Sequence, residues 1–213
     1  MIVEMAGLQG AGKSTICRAV TVEHVGKGSI PLWRLRPSSS FFAVGRHVLL
    51  LCLTVRPLTA RTFLRGFNFL MLLRHYQRHD GVILLDQGLA QKLWSLLAGA
   101  LAHGIERRVA VIRALKPYAP AAIFWVETEL ASAVARMAAR PHGVSRYDRL
   151  DREVAAIQLG QRAALLRLIV EEMARETGCL LINLDGKAEP AANAVRLERF
   201  LVSGVAENGE IAV

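Results

Sequence analysis

Ile2-Val3-Glu4-Met5-Ala6 is a short apolar run that leads directly into Gly7-Leu8-Gln9-Gly10-Ala11-Gly12-Lys13-Ser14-Thr15. The second stretch matches G-x-x-x-x-G-K-[ST], and it stands between a strand-like run and a helix-like one, Lys13 to Val25. Glycines let a backbone curl until successive N–H groups point inward, and the start of the following helix adds partial positive charge. Such a loop is suited to a row of phosphates. Gly7, Gly10, Ala11, Gly12 and Thr15 line the cradle, Lys13 reaches the terminal phosphates, and the Ser14 hydroxyl ligates magnesium. The bound species expected is a nucleoside triphosphate with Mg2+. Lys13 is expected to face solvent until phosphate arrives, and so to add little to the core.

Further apolar runs follow at Ile30 to Leu35, Val82 to Asp86, Ala122 to Glu127 and Leu180 to Leu184, with longer helical stretches between them. Five strands alternating with helices predict an α/β fold around a parallel sheet. The helices are read as Phe41 to Thr54 and Thr59 to His79, a pair split at Pro57, then Leu89 to His103, Glu106 to Lys116, Glu129 to Arg140, Asp151 to Thr177 and Pro190 to Val202. Gly178 ends the long one. With 213 residues, 53% of them hydrophobic, and no linker or repeat, the chain reads as one domain over 1–205, followed by a loose tail over 206–213.

The Val82-Ile83-Leu84-Leu85-Asp86 run is too apolar to be exposed on either face and ends in a carboxylate. If this strand neighbours the first, Asp86 emerges beside the glycine-rich loop, where it anchors magnesium or accepts a proton from an attacking hydroxyl. An Asp that merely caps the next helix is the alternative. Arg136 and Arg140 are four apart on one helical face and are followed by Pro141 to Ser145, Arg146 and Arg149. This basic segment, 136–149, reads as a lid whose cations close over a transferring phosphoryl group. The alternative is an ordinary basic helix end. His142 and the other histidines form no ligand pattern, and Cys17, Cys52 and Cys179 suggest neither disulfides nor a zinc site.

The formal charge of +9 is unevenly spread: between Glu23 and Asp80 there is no acidic residue, yet Lys27 and eight arginines fall there. Nucleic acid, an anionic membrane surface and a phosphorylated small substrate are all attracted to such a surface. The longest apolar run, Val48 to Val55, is far short of the ~20 residues that span a bilayer. No transmembrane segment and no secretory signal are expected, and the compartment expected is the cytoplasm. Few aromatics are interleaved with the arginines, so no stable nucleic-acid partner is expected either.

Taken together, "GLQGAGKST" at Gly7 to Thr15, Asp86-Gln87-Gly88, and "ARMAARPHGVSR" at Ala135 to Arg146 resemble the P-loop kinases of the thymidylate kinase and deoxynucleoside kinase group. The resemblance implies a three-layer P-loop NTPase sandwich, with a five-stranded parallel sheet in order 2-3-1-4-5, helices on both faces and a small lid. It implies ATP and Mg2+ as cofactors, and a small-molecule phosphoryl acceptor held by the helices over 41–79 and by Asp86 to Leu89. It implies catalytic roles for Lys13, Asp86, Arg136, Arg140 and Arg146, magnesium at Ser14 and Asp86, and adenine beside Asp185 to Ala188. Two positions depart from the family: Ala6 and Gln87 stand where its members usually carry Glu and Arg. The acceptor is therefore a nucleoside, a nucleoside monophosphate or a metabolite that is not a nucleotide. A nucleotide-gated binding protein without kinase turnover is the reading from another class. The apolar helices over 41–79 suit plain core, a homodimer interface or a greasy substrate equally.

Overall fold

The strands lie in the order β2-β3-β1-β4-β5, and every neighbouring pair is parallel. In chain order they are β1 (Ile2–Gly7), β2 (His24–Val25), β3 (Ile83–Leu85), β4 (Ala122–Glu127) and β5 (Leu180–Asp185). This computed structural model describes residues 1–22, 24–25, 40–54, 60–101, 104–139 and 151–203. Four strands of three to six residues carry the sheet, and β2 is a two-residue edge. That edge is not where the apolar pattern puts it. The run Ile30 to Leu35 lies outside the described residues, and the second strand falls at His24–Val25, inside the stretch expected to be helical. The first helix, α1 (Lys13–Arg18), stops after six residues. β-Branched Val20, Thr21 and Val22 follow its end, and such side chains favour extended backbone over helix.

The remaining helices are α2 (Ser40–Thr54), α3 (Ala60–Tyr76), α4 (Leu89–Leu101), α5 (Ile105–Leu115), α6 (Leu130–Ala138), α7 (Arg152–Thr177) and α8 (Pro190–Ser203). Alternate side chains of a strand point to opposite faces, so β1 feeds two cores. Ile2 and Ala6 join Val44, Leu73, Leu93, Val111 and Met173 on one face, which α2 to α5 cover. Val3 and Met5 join Ile16, Val134, Leu197 and Phe200 on the other, beneath α1, α6 and α8. The 26-residue α7 serves both, with Ala155 and Leu159 in the second core and Leu166, Ile169 and Met173 in the first. Asp151 caps its start by accepting the Glu153 N–H at 2.8 Å, and Gly178, at φ 78°, ends it in the left-handed conformation that glycine adopts without strain.

Burial against α7 is reinforced by a bidentate ion pair. Arg108 on α5 donates from Nε and Nη2 to the Glu172 carboxylate at 2.9–3.2 Å, with both residues buried. The Glu172 pair holds the Arg108 guanidinium above its ordinary pKa against the opposing effect of burial.

Candidate active site

β1 ends at Gly7, and α1 begins five residues after Leu8, at Lys13. Gly10 and Gly12 have φ of 86° and 96°, values a side chain rarely adopts. A Cβ on Gly10 would also stand 2.3 Å from the Ala133 carbonyl oxygen, so the loop packs directly on the backbone of α6. Gly12 begins α1 without a side-chain hydrogen bond to its first amides. The Ala11 N–H donates to the Leu8 carbonyl at 3.2 Å, which closes the turn.

Lys13 departs from expectation. Its side chain is 7% exposed, and Nζ donates to the carbonyls of Gly7 and Leu8 at 2.8 and 2.7 Å. The curled loop turns these two carbonyl oxygens toward the start of α1, and an ammonium group there is drawn to them rather than to water.

The strands ending at Gly7 and Leu85 are neighbours, with Ile2 opposite Ile83 and Glu4 opposite Leu85. The carboxylate that follows β3 therefore meets the loop. Ser14 Oγ donates to Asp86 Oδ2 at 2.7 Å. Asp86 is buried, and its other oxygen, Oδ1, has no hydrogen-bond partner among the described residues. A hydroxyl and an orphaned carboxylate oxygen beside a glycine-rich loop form a hard, all-oxygen donor set. Magnesium is typically held by one or two such protein groups together with phosphate oxygens and water, so these residues fit it. Burial first, and then Asp86, push the thiol of Cys17, one turn beyond Lys13, up to about 12, which disfavours its thiolate.

Of the expected lid, Arg136 lies within the described residues, whereas Arg140, Arg146 and the segment 140–149 lie outside them. Arg136 Nη2 donates to the Gly186 carbonyl at 2.9 Å, and its Nη1 stands 3.9 Å from the point a Cβ on Gly12 would occupy. One guanidinium thus links α6, the edge of the glycine-rich loop and the turn after β5. That turn is fixed from within: Asp185 accepts the Lys187 N–H at 2.8 Å on Oδ1, and its carbonyl accepts from Asn193 Nδ2 at 2.7 Å. Gly186 lies so close to β4 that a Cβ there would meet Glu127 O at 2.3 Å. Of the segment expected to hold an acceptor, α2 and α3 sit over the first core with β3, while residues 55–59 between them lie outside the described residues.

Sequence reasoning missed Glu4. It sits fully buried on β1, two residues before Ala6 and thus on the same face. Its Oε2 accepts the Ala90 N–H at 3.2 Å and its Oε1 the Gln91 N–H at 3.1 Å, which caps α4 from a neighbouring strand. Burial pushes the carboxyl up to about 7, against the pull of the amides of Gln91, Ala90, Leu89 and Gly88. Gly88 is required for this approach, since a Cβ there would be 2.4 Å from the carboxyl carbon. The signals were present: one acid inside an apolar strand, and a glycine two residues after Asp86.

The sequence matches no known family and no curated protein. Among solved structures, deoxyadenosine kinase from M. mycoides with products dCMP and a flexible dCDP bound superposes over 96% of this chain and 100% of its own, with a TM-score of 0.51 and 12% identity. The fold is similar to that of this deoxyadenosine kinase. A second structure of that kinase, with bound dCTP, aligns at a TM-score of 0.47 and 13% identity over 95% of this chain and 100% of its own. Within this kinase-like fold, the glycine-rich loop, Asp86, Arg136 and the 185–188 turn all gather at the carboxyl ends of the strands, the ligand-binding edge of an open α/β sheet.

Proposed function

We propose that the chain, as one P-loop kinase domain over 1–205, transfers the γ-phosphoryl group of ATP to a small acceptor of the nucleoside or nucleoside monophosphate class. The observation that carries this reading is the Ser14–Asp86 contact at 2.7 Å with Asp86 Oδ1 left unpartnered beside the glycine-rich loop. The loop amides from Gly7 to Thr15 bind the phosphates, and Lys13 exchanges its carbonyl contacts for the terminal phosphate oxygens. Ser14 and Asp86 would hold Mg2+, which supplies charge neutralisation on the transferring group. The hydrogen bond from Ser14 supports Asp86 as a metal anchor rather than a general base. Arg136, joined by Arg140 and Arg146 of the lid, neutralises charge that grows in the transition state. The acceptor lies between the helices over 41–79 and the loop from Asp86 to Leu89.

Gln87, where the resembling kinases carry arginine, favours a second reading in which the acceptor is not a nucleotide. Thermal-shift screening with ATP and Mg2+ against nucleosides, nucleoside monophosphates, aminosugars and lipid-like alcohols separates the two, followed by phosphoryl-transfer assays on each hit. ATP binding with no transfer to any acceptor that binds would favour a nucleotide-gated binder. Absence of ATP binding would sink both kinase readings.

A further inference from the structure

The longest acid-free stretch of the chain, between Glu23 and Asp80, holds nine cations and contributes α2 and α3 to the surface. On α2, Val44 and Val48 are buried in the first core, so the helix is fixed by one face and its opposite face is outermost. That outer face is not polar. Phe42 is 85% exposed and Leu49 is 55% exposed, seven residues or two turns apart, with exposed Arg46 between them. The neighbouring α3 adds Leu64, 58% exposed, beside exposed Arg65. Other helices also expose apolar side chains, Val154, Ile157 and Leu168 on α7 and Val195 and Val202 on α8, but acidic residues stand among these, Glu153 and Glu171 on α7 and Glu198 on α8.

We propose that the outer face of α2 and α3 docks on an anionic lipid bilayer surface, with Phe42, Leu49 and Leu64 entering the headgroup layer and Arg46 and Arg65 meeting lipid phosphates. Charge decides between occupants. A two-fold contact with a second copy would set this basic surface against itself, with no acid from the segment to pair it. Nucleic acid would satisfy the arginines but gains nothing from exposed leucines. A bilayer with anionic headgroups uses both, as interfacial helices do. Among the described residues no helix is long and apolar enough to cross a membrane, so the contact is peripheral.

The full chain is sedimented with vesicles of phosphatidylcholine alone and of equal parts phosphatidylcholine and phosphatidylglycerol. Binding is expected on the anionic vesicles only, and it should weaken at high salt. The double variant Arg46→Gln, Arg65→Gln should bind about 25-fold more weakly, roughly fivefold per lost charge. Phe42→Ser with Leu49→Ser should lower binding about tenfold or more with the salt dependence kept. The glutamine changes touch only exposed side chains, so they decide the matter even if the serine variant folds poorly by circular dichroism. Equal binding to both vesicles, no binding to either, or unaltered binding by the folded glutamine variant overturns the proposal. So does a dimer in sedimentation velocity that Phe42→Ser with Leu49→Ser dissociates without any vesicle binding by the parent chain. None of these outcomes depends on kinase activity.

Discussion

Replacing Glu4 by glutamine should change the pH dependence of stability more than stability itself. The carboxyl is fully buried and its pKa rises from an ordinary 4.5 to about 7. Between these values the folded chain binds more protons at this site than the unfolded chain, so stability falls as pH rises through the window. Each pKa unit is worth 1.36 kcal/mol, so the full interval costs about 3.4 kcal/mol, of which ~2.5 kcal/mol is lost between about pH 5 and about pH 8. Glutamine cannot ionise, and it presents an NH2 group to amides that want an acceptor, a fixed penalty of about 1–3 kcal/mol. Urea unfolding of both proteins across that range, with linear extrapolation, isolates the difference because every other titrating group cancels. The variant should be the weaker protein near pH 5, and its deficit should shrink by ~2.5 kcal/mol by pH 8. Parallel curves, within about 0.5 kcal/mol, would mean that the four amides hold the carboxyl at its ordinary pKa and that burial does not dominate.

Asp86→Asn should leave nucleotide affinity within about an order of magnitude while lowering phosphoryl transfer ~10²-fold or more, checked by calorimetry and by turnover with an acceptor from the screen. Gly10→Ala should destabilise by about 1–3 kcal/mol or more in thermal melts, because φ of 86° and a Cβ 2.3 Å from the Ala133 carbonyl both oppose it. Arg108→Leu alone should cost ~3–5 kcal/mol by stranding the Glu172 carboxylate, whereas Arg108→Leu with Glu172→Leu should recover most of that loss in the same denaturation assay. Lys13→Ala should abolish ATP binding by calorimetry, and an undiminished affinity would remove the loop from the site.

The glycine-rich loop and Asp86 were legible because each pairs a local pattern with a position at a strand end, and the register of β1 with β3 joined them at Ser14. The helices after the first were legible from their periodicity, and their described ends agree to within a few residues, whereas the first was expected to run to Val25 and stops at Arg18. β2 was not: a two-residue strand at His24–Val25 leaves no apolar run to read, whereas Ile30 to Leu35 looks like one. Glu4 escaped because its partners are backbone amides of α4, 86 and 87 residues away, which no side-chain motif records. Lys13 was read as a free side chain because motifs describe what a residue does with phosphate, not which carbonyls of its own loop surround it.

The contact between Gly10 and the Ala133 carbonyl has an evolutionary consequence. It is made by main chain on one side and by a missing side chain on the other. Residue 133 can drift among small helix-formers without altering it, since every amino acid carries the same carbonyl. Residue 10 cannot drift at all. A lineage can therefore change the exposed residues of α6 while the loop keeps its seat. Novelty in this architecture is cheap on the helix and forbidden on the glycine that leans against it.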